Sequence, residues 1–180
     1  MIRLATPLDA EGLSLLASHV FLDTYVPQGV NRAIASEVQQ RFAVPVLAAR
    51  LQDPGVRVLV AETEGWLEGF ADLTLQATGP SASAGPALQG AELFRLYVHP
   101  RRQCQGLGAR LLKAAEDLAR GQGAACSWLS AWEGNTRALA FYARQGYQEV
   151  GETDYRIDGV SYRNRVFHKA LHAWTTSTTS

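Results

Sequence analysis

The most informative segment of this chain is Glu92-Leu-Phe-Arg-Leu-Tyr-Val-His-Pro-Arg-Arg-Gln-Cys-Gln-Gly-Leu-Gly-Ala-Arg-Leu-Leu112. It opens with a strand-like apolar run that stops at Pro100, and a turn containing Gln103, Gly106 and Gly108 follows. A helical pattern comes next. Its apolar positions have the spacing of one packed face, namely Leu107, Leu111, Ala115, Leu118 and Ala119. The segment therefore predicts a strand, a glycine turn and a helix in that order.

The start of this helix predicts an anion-binding site. The first amides of a helix have no intrahelical acceptor, and the positive end of the helix dipole lies beside them. Together they can hold a phosphate or a pyrophosphate. Glycine at 106 and 108 lets the backbone approach such an anion without a Cβ in the way. The commoner alternative is a turn in which glycine only relieves backbone strain. Neither the G-x-G-x-x-G fingerprint nor a Gly-Lys-Ser/Thr loop occurs here.

A second block follows after one helix and one strand. It runs Trp128-Leu-Ser-Ala-Trp-Glu-Gly-Asn-Thr-Arg-Ala-Leu-Ala-Phe-Tyr-Ala-Arg-Gln-Gly-Tyr147. The two blocks resemble motifs A and B of the GNAT superfamily of N-acetyltransferases. Motif A is matched by Gln103-x-x-Gly106-x-Gly108, and motif B by a strand, Asn135, and then Ala-x-x-Phe-Tyr-x-x-x-Gly-Tyr. The resemblance covers about residues 57–171, and Leu93-x-Arg95-Leu-Tyr-Val98 is similar to the spermidine/spermine acetyltransferase-like branch.

The resemblance implies an α+β fold (α/β three-layer) with a GNAT-like mixed, mostly antiparallel sheet, a central splay and helices on both faces. We expect one domain over residues 1–171 and a disordered tail over 172–180. The sequence predicts a first helix capped by Asp9 or a neighbour, and a helical region over 32–51 that Pro45 interrupts. It also predicts strands over 56–62 and 66–75, a surface loop over 79–86, and a closing hairpin around Asp158-Gly159.

The resemblance implies acetyl-CoA as the cosubstrate and a set of residues that hold it. The amide of Val98 would face the acyl oxygen, Asn135 would cap its helix or bond the pantetheine arm, and Tyr142 would protonate the leaving thiolate. A core aromatic is the alternative for Tyr142. The cofactor-binding residues expected are Leu96, Tyr97, Val98, Gln103, Cys104, Gln105, Gly106, Leu107, Gly108, Ala109, Asn135 and Tyr142.

Candidates for the general base are carboxylates. Glu92 begins the predicted cofactor strand, where many relatives place a carboxylate that relays protons through water, so it is the residue we favour. Glu133 and Asp23 are rivals, although each fits a solvated surface charge. Cys104 stands where many relatives have glycine, and no histidine and aspartate partners indicate a nucleophile.

Composition excludes several other classes. Lys plus Arg and Asp plus Glu both number 17, and no basic run occurs, so we expect no nucleic-acid partner. We expect a cytoplasmic protein without a membrane segment or signal peptide, because no sufficiently long apolar run occurs. Two cysteines cannot build a disulfide framework. His168 and His172 lack cysteine partners, so no metal site is expected.

The predicted function is therefore transfer of an acetyl group from acetyl-CoA to a primary amine by direct attack. The alternative is a non-catalytic acyl-CoA-binding sensor or partner module, which has no need of Tyr142. The sequence leaves open whether the acceptor is a polyamine, another small amine, an amino acid or a peptide N-terminus. It also leaves open a homodimer and the use of a longer acyl group.

Overall fold

A computed structural model of the 180-residue chain describes residues 1–26, 28–81, 87–157 and 159–171. Seven strands and five α-helices occur in these ranges. In chain order they are β1 (Ile2–Leu4), α1 (Ala10–Tyr25), α2 (Arg32–Arg41), α3 (Val44–Gln52), β2 (Val56–Thr63), β3 (Trp66–Ser81), β4 (Ala87–Val98), α4 (Leu107–Gly121), β5 (Cys126–Trp132), α5 (Thr136–Arg144), β6 (Gln148–Ile157) and β7 (Val160–Ala170). Short 3-10 turns at Pro7–Asp9 and Pro100–Arg102 precede α1 and α4.

The strands form one mixed sheet in the order β1-β2-β3-β4-β5-β7-β6. All neighbouring pairs are antiparallel except β4 and β5, which are parallel. That pair is joined only where Ala91 opposes Ser127 and Glu92 opposes Trp128. Beyond these positions the two strands diverge, which confirms the predicted mostly antiparallel sheet with a central splay.

Helices cover both faces of the sheet, and each face has its own core. On one face α4 and α5 pack over residues that include Leu73, Leu93, Leu111 and Leu129. On the other face α1 and α3 pack over residues that include Val60 and Phe70. We call these the α4 face and the α1 face. Each is assembled from alternate residues of the same strands, as the two-residue period of a strand requires.

A β-bulge at Phe94 changes which residues of β4 lie on each face. Asp72 of β3 opposes Arg95, but the next residue, Leu73, opposes Leu93, so Phe94 has no partner. Because an extra residue shifts the alternation by one, Glu92 and Arg95 both lie on the α1 face although they are three residues apart. Their opposite residues, Asp72 and Thr74, are two apart on a stretch of β3 that has no extra residue, which confirms the shared face.

Several element boundaries differ from those predicted. Glu92 does not begin its strand but lies in the middle of β4, and residues 79–81 continue β3 rather than form a loop. The long β3–β4 ladder, which pairs Ser81 with Ala87, satisfies backbone groups that a loop would leave to water. Residues 82–86, Asp158, His172 and the tail over 172–180 lie outside the described residues.

The predicted interruption of the second helical region is confirmed. It divides into α2 and α3, and Pro45 lies in the first turn of α3, where its missing N–H costs no helical hydrogen bond. Asp9 occupies the N-cap position of α1, but its carboxylate accepts from Thr6 and Arg3 instead of capping that helix. Within the ranges given above, no helix is both long and apolar enough to span a membrane.

Candidate active site

A cleft of about 1160 Å³ passes through the splay between β4 and β5. Its walls come from both faces of the sheet, because α4 and α5 line one part and α1, α2 and α3 line the other. Most of the side chains predicted from the sequence meet here, namely Glu92, Leu96, Tyr97, Val98, Gln103, Cys104, Gly106, Gly108, Ala109, Asn135 and Tyr142. Gln105 and Leu107 do not line the cleft. The side chain of Leu107 is buried in the α4-face core, and that of Gln105 donates to the carbonyl of Arg101.

The turn before α4 presents a run of unpaired amides. Among the hydrogen bonds of the described ranges, none is donated by the backbone N–H groups of residues 104–109, whereas Arg110 N–H donates to Gly106. Gln105 and Leu107 therefore contribute to this run through the backbone. Six consecutive donors at the start of a 15-residue helix form a concave set of partial positive charges suited to a phosphate or pyrophosphate.

Backbone conformation explains the residues found in this turn. Cys104 and Gly106 have φ values of 59° and 79°, in the left-handed region that glycine adopts without strain. A Cβ at Gly106 would meet no atom within 4 Å, so its φ alone makes a side chain costly there. Gly108 is helical, and a Cβ there would lie 3.8 Å from Val98 and Phe141. Arg137 Nη2 lies 3.4 Å from Cys104 Sγ and adds a cation beside the turn.

The open edge of β4 faces the splay. The N–H of His99 donates to the carbonyl of Glu68, so in an antiparallel ladder the next pair, Val98 with Gly69, is of the non-hydrogen-bonded kind. The N–H of Val98 therefore points away from β3 and into the gap. Its carbonyl accepts a hydrogen bond of 3.0 Å from the Gln103 side chain, which ties the turn to the strand. The ring of Tyr97 packs on the α1 face against Phe70.

Asn135 and Tyr142 stand on the other side of the gap. The Asn135 side chain caps α5 by accepting from the N–H of Ala138 at 3.1 Å. Tyr142 is 8% exposed and contacts Phe141, Tyr147 and Phe167, yet it also lines the cleft. Burial raises the pKa of Tyr142 well above that of a free phenol, so its hydroxyl is protonated at all ordinary pH values.

Glu92 faces the α1 side of the cleft, at the last paired position before the splay. Burial raises the pKa of its carboxyl, and nearby Arg50 and Arg95 partly oppose that rise. No hydrogen bond or ion pair of Glu92 occurs in the part of the chain that the structure describes. A carboxylate that is half-buried, unpaired and directed into a cleft can accept a proton.

The other predicted candidates lie elsewhere or are already bonded. Glu133 is exposed, does not line the cleft, and forms an ion pair of 3.2 Å with Arg165. Asp23 lines the cleft but is exposed at its rim. His99 uses its Nδ1 to accept from the N–H of Arg101. Among the residues described, no group of three His, Cys, Asp or Glu side chains is placed to hold a metal ion.

Sequence reasoning missed the polar cluster on the α1 side of the cleft. Buried Asp72 accepts from Arg50 at 2.7 Å and from Arg95 at 2.9 Å. Tyr155 bonds to both Glu37 and Arg41. An arginine and an aspartate within apolar strand runs were the only available signals, since such residues are seldom buried unless they are paired. Their partners are 22 to 118 residues away in the chain.

An unpaired helix start on one face of the sheet and an unpaired carboxylate on the other, connected through a gap between two strands, fit the acyltransferase site that the two sequence blocks imply. Comparison with known proteins supports the assignment as an acyltransferase. The sequence model of the Acetyltransferase (GNAT) family matches residues 23–147. The chain is 35% identical over 115 residues to the uncharacterized N-acetyltransferase YhfO of Bacillus subtilis, a match that covers 64% of this chain and 72% of that protein.

Solved structures show the same fold. The PaiA N-acetyltransferase from Thermoplasma acidophilum, in complex with coenzyme A, superposes with a TM-score of 0.74 at 22% identity and covers 94% of this chain and 98% of that one. The yncA protein from Salmonella typhimurium, solved with acetyl-CoA, gives a TM-score of 0.65 at 21% identity over 96% of this chain and 94% of that one. The chain belongs to the GNAT family of N-acetyltransferases, and it is an acyltransferase.

Proposed function

We propose that this protein transfers the acetyl group of acetyl-CoA to a primary amine by direct attack of the amine on the thioester. One observation carries this proposal. A single cleft connects an anion-binding turn on the α4 face with an unpaired carboxylate on the α1 face, through the only gap between neighbouring strands of the described sheet. Two substrates that enter from opposite faces would therefore meet at the splay.

The residues of the α4 side fit coenzyme A. The amides of residues 104–109 suit its pyrophosphate, with Arg137 adding positive charge. The free edge of β4 at Leu96 and Val98 offers backbone groups to the amides of the pantetheine arm. The side chain of Asn135 lies across the gap from that edge. The two solved relatives described above contain coenzyme A or acetyl-CoA, which supports the same ligand here.

The chemistry asked of the chain is the removal and delivery of protons. When bound, acetyl-CoA supplies an activated acyl carbon. Glu92 accepts a proton from the incoming ammonium, directly or through water, because only a neutral amine can attack. The N–H of Val98 stabilises the negative charge that develops on the acyl oxygen. Tyr142 donates its phenolic proton to the departing thiolate. The acylated nitrogen then gives its second proton to the phenolate, which burial makes strongly basic.

The experiment is an assay of free thiol release with acetyl-CoA and a panel of primary amines. Wild type should release coenzyme A only when an acceptor is present. Tyr142→Phe should keep acetyl-CoA binding, measured by calorimetry, and lose turnover. Arg165→Gln, on the surface of β7 outside the cleft, is the matched control and should behave as wild type. Acetyl-CoA binding without turnover on any amine would favour the sensor module over this proposal.

A further inference from the structure

We propose that the acceptor is a small zwitterion, an amine that also carries a carboxylate as amino acids do, and that Arg95 binds this carboxylate. The proposal rests on the function proposed above and adds the substrate class. No sequence motif assigns this role to Arg95. It follows from the geometry, charge and hydrogen bonding of the α1 side of the cleft.

The spacing of Glu92 and Arg95 along β4 suits a small zwitterion. The bulge at Phe94 places Glu92 and Arg95 on the same face of β4, opposite Thr74 and Asp72. Two residues of an unbulged strand span about 6.8 Å. The backbone positions that carry the Glu92 carboxylate and the Arg95 guanidinium are therefore about 7 Å apart along the sheet, on one face. An amine and a carboxylate separated by one to three carbon atoms would reach both groups.

The guanidinium of Arg95 has unused hydrogen-bond donors. Arg95 is 6% exposed and lines the cleft, and its Nη1 donates to Asp72. Its Nε is buried without a partner, and its Nη2 makes no hydrogen bond within the described ranges. Burial lowers the pKa of Arg95, although Asp72 acts in the opposite direction. A buried donor left unsatisfied is costly, and an anion from the cleft would satisfy it.

The charges on the α1 side of the cleft favour an acceptor with a single ammonium and a carboxylate. Three arginines line it, at positions 41, 50 and 95. The acidic residues near these arginines are already bonded. Asp72 is shared by Arg50 and Arg95. Glu37 contacts Arg41 and Tyr155. Glu92 is the one interior carboxylate without a partner among the residues described, while Asp23 is exposed at the rim. One ammonium can be accommodated, but a polycation would place its further charges beside arginines.

The guanidinium is also held in place. The ring of Phe94 packs against both Arg50 and Arg95, with the two guanidinium carbons 4.5 and 4.4 Å from its centroid. The ring of Phe42 lies 5.4 Å from the Arg95 guanidinium carbon. A planar guanidinium fixed between aromatic rings loses little entropy when it binds a carboxylate in a bidentate manner.

The test compares matched acceptors in the thiol-release assay. A set of free L-amino acids, their carboxamides and their decarboxylated amines are used as acceptors, with spermidine as the polycation. One charge-assisted hydrogen bond changes kcat/KM by about 10- to 100-fold, so the amino acid should exceed its carboxamide by that factor. Arg95→Gln should remove this preference, lowering kcat/KM for the amino acid by more than it lowers kcat/KM for the carboxamide, so that the ratio of the two falls toward one.

Two further measurements separate recognition from folding. Acetyl-CoA should still raise the melting temperature of Arg95→Gln, because the cofactor turn lies on the opposite face. Arg95→Lys, which keeps the charge but lacks the fork, should restore part of the amino-acid preference. Arg165→Gln is the control and should keep the full preference.

Failure of the zwitterion proposal can be distinguished from failure of the proposed function. Equal rates for the amino acids and their carboxamides in wild type, or spermidine as the best acceptor, would overturn the zwitterion proposal while leaving acetyl transfer intact. An equal loss on amino acid and carboxamide in Arg95→Gln would assign Arg95 to the fold alone and also overturn it. Absence of acetyl-CoA binding in wild type would instead reject the proposed function.

Discussion

Replacing Cys104 by glycine should stabilise this protein and leave acetyl transfer intact. Cys104 has a φ of 59°, and a residue with a Cβ pays about 1–2 kcal/mol in the left-handed region. Glycine relieves that strain, but its greater conformational freedom in the unfolded chain lowers the free energy of unfolding by about 0.4–1 kcal/mol. The net gain is about 0.5–1 kcal/mol, which raises the melting temperature of a chain of this size by about 1–4 °C. The substitution also removes the hydrogen bond from Arg137 to Cys104 Sγ, which is exposed to solvent and therefore adds little stability.

The assay is thermal unfolding under reducing conditions, with Cys104→Ala as the matched control. Alanine removes the thiol but keeps a Cβ, so this variant should have the melting temperature of wild type. Both variants should release thiol at the wild-type rate, because the turn binds through its backbone and the amine attacks the thioester directly. A glycine variant that melts no higher than the alanine variant would refute the strain argument. Inactive variants together with an acetylated Cys104, detected by mass spectrometry, would indicate a covalent mechanism.

Three other perturbations test the site. Gly106→Val, at a φ of 79°, should abolish the acetyl-CoA-induced rise in melting temperature, whereas Gly108→Ala, at a helical position with room for a methyl group, should retain it. Tyr142→Phe should lower kcat by about 10²–10⁴-fold with unchanged acetyl-CoA affinity, and wild-type turnover would return Tyr142 to a packing role. Because burial raises the Glu92 pKa above its ordinary 4.5, ionisation of Glu92 destabilises the fold as pH rises through the folded-state pKa. Glu92→Gln should therefore have a higher melting temperature than wild type at pH 8 and the same melting temperature below about pH 4. It should also shift the pH–rate profile towards higher pH. A profile identical to that of wild type would show that Glu92 is not the base.

The parts of the fold that the sequence predicted are those with local causes. The α4 helix follows from apolar spacing, the break between α2 and α3 from Pro45, and the cap of α5 from Asn135, which does accept from its own first turn. The splay between β4 and β5 was predicted only by resemblance, because no residue near Ala91 indicates where the pairing of the two strands ends. The β3–β4 ladder was predicted too short because its composition, rich in Gly, Pro, Ser and Ala, is typical of loops.

The candidate site divides in the same way. Residues of the α4 side lie in two continuous motifs, and their assignment to one site could therefore be predicted from the sequence. The bonded polar residues of the α1 side come from five elements, α2, α3, β3, β4 and β6, and most of their contacts join positions far apart in the chain. Asp72 illustrates the difficulty: in the sequence it is one acid in an apolar strand, and only the register that places it opposite Arg95 and beneath Arg50 shows its partners.

The bulge at Phe94 links the two halves of the site. In a regular strand, Glu92 would share a face with Leu96 and Val98, because side chains alternate with a period of two. The carboxylate would then lie on the α4 face, among the residues expected to hold the cofactor, and the acceptor side would have no unpaired acid in its interior. The extra residue moves Glu92 to the face of Arg95 while Leu96 and Val98 stay packed against the α4 core. One strand can therefore offer its edge to an acyl donor on one side of the sheet and a proton acceptor to an amine on the other. Since the bulge leaves no mark in the local composition, this division of roles becomes visible only in the pairing of β3 with β4.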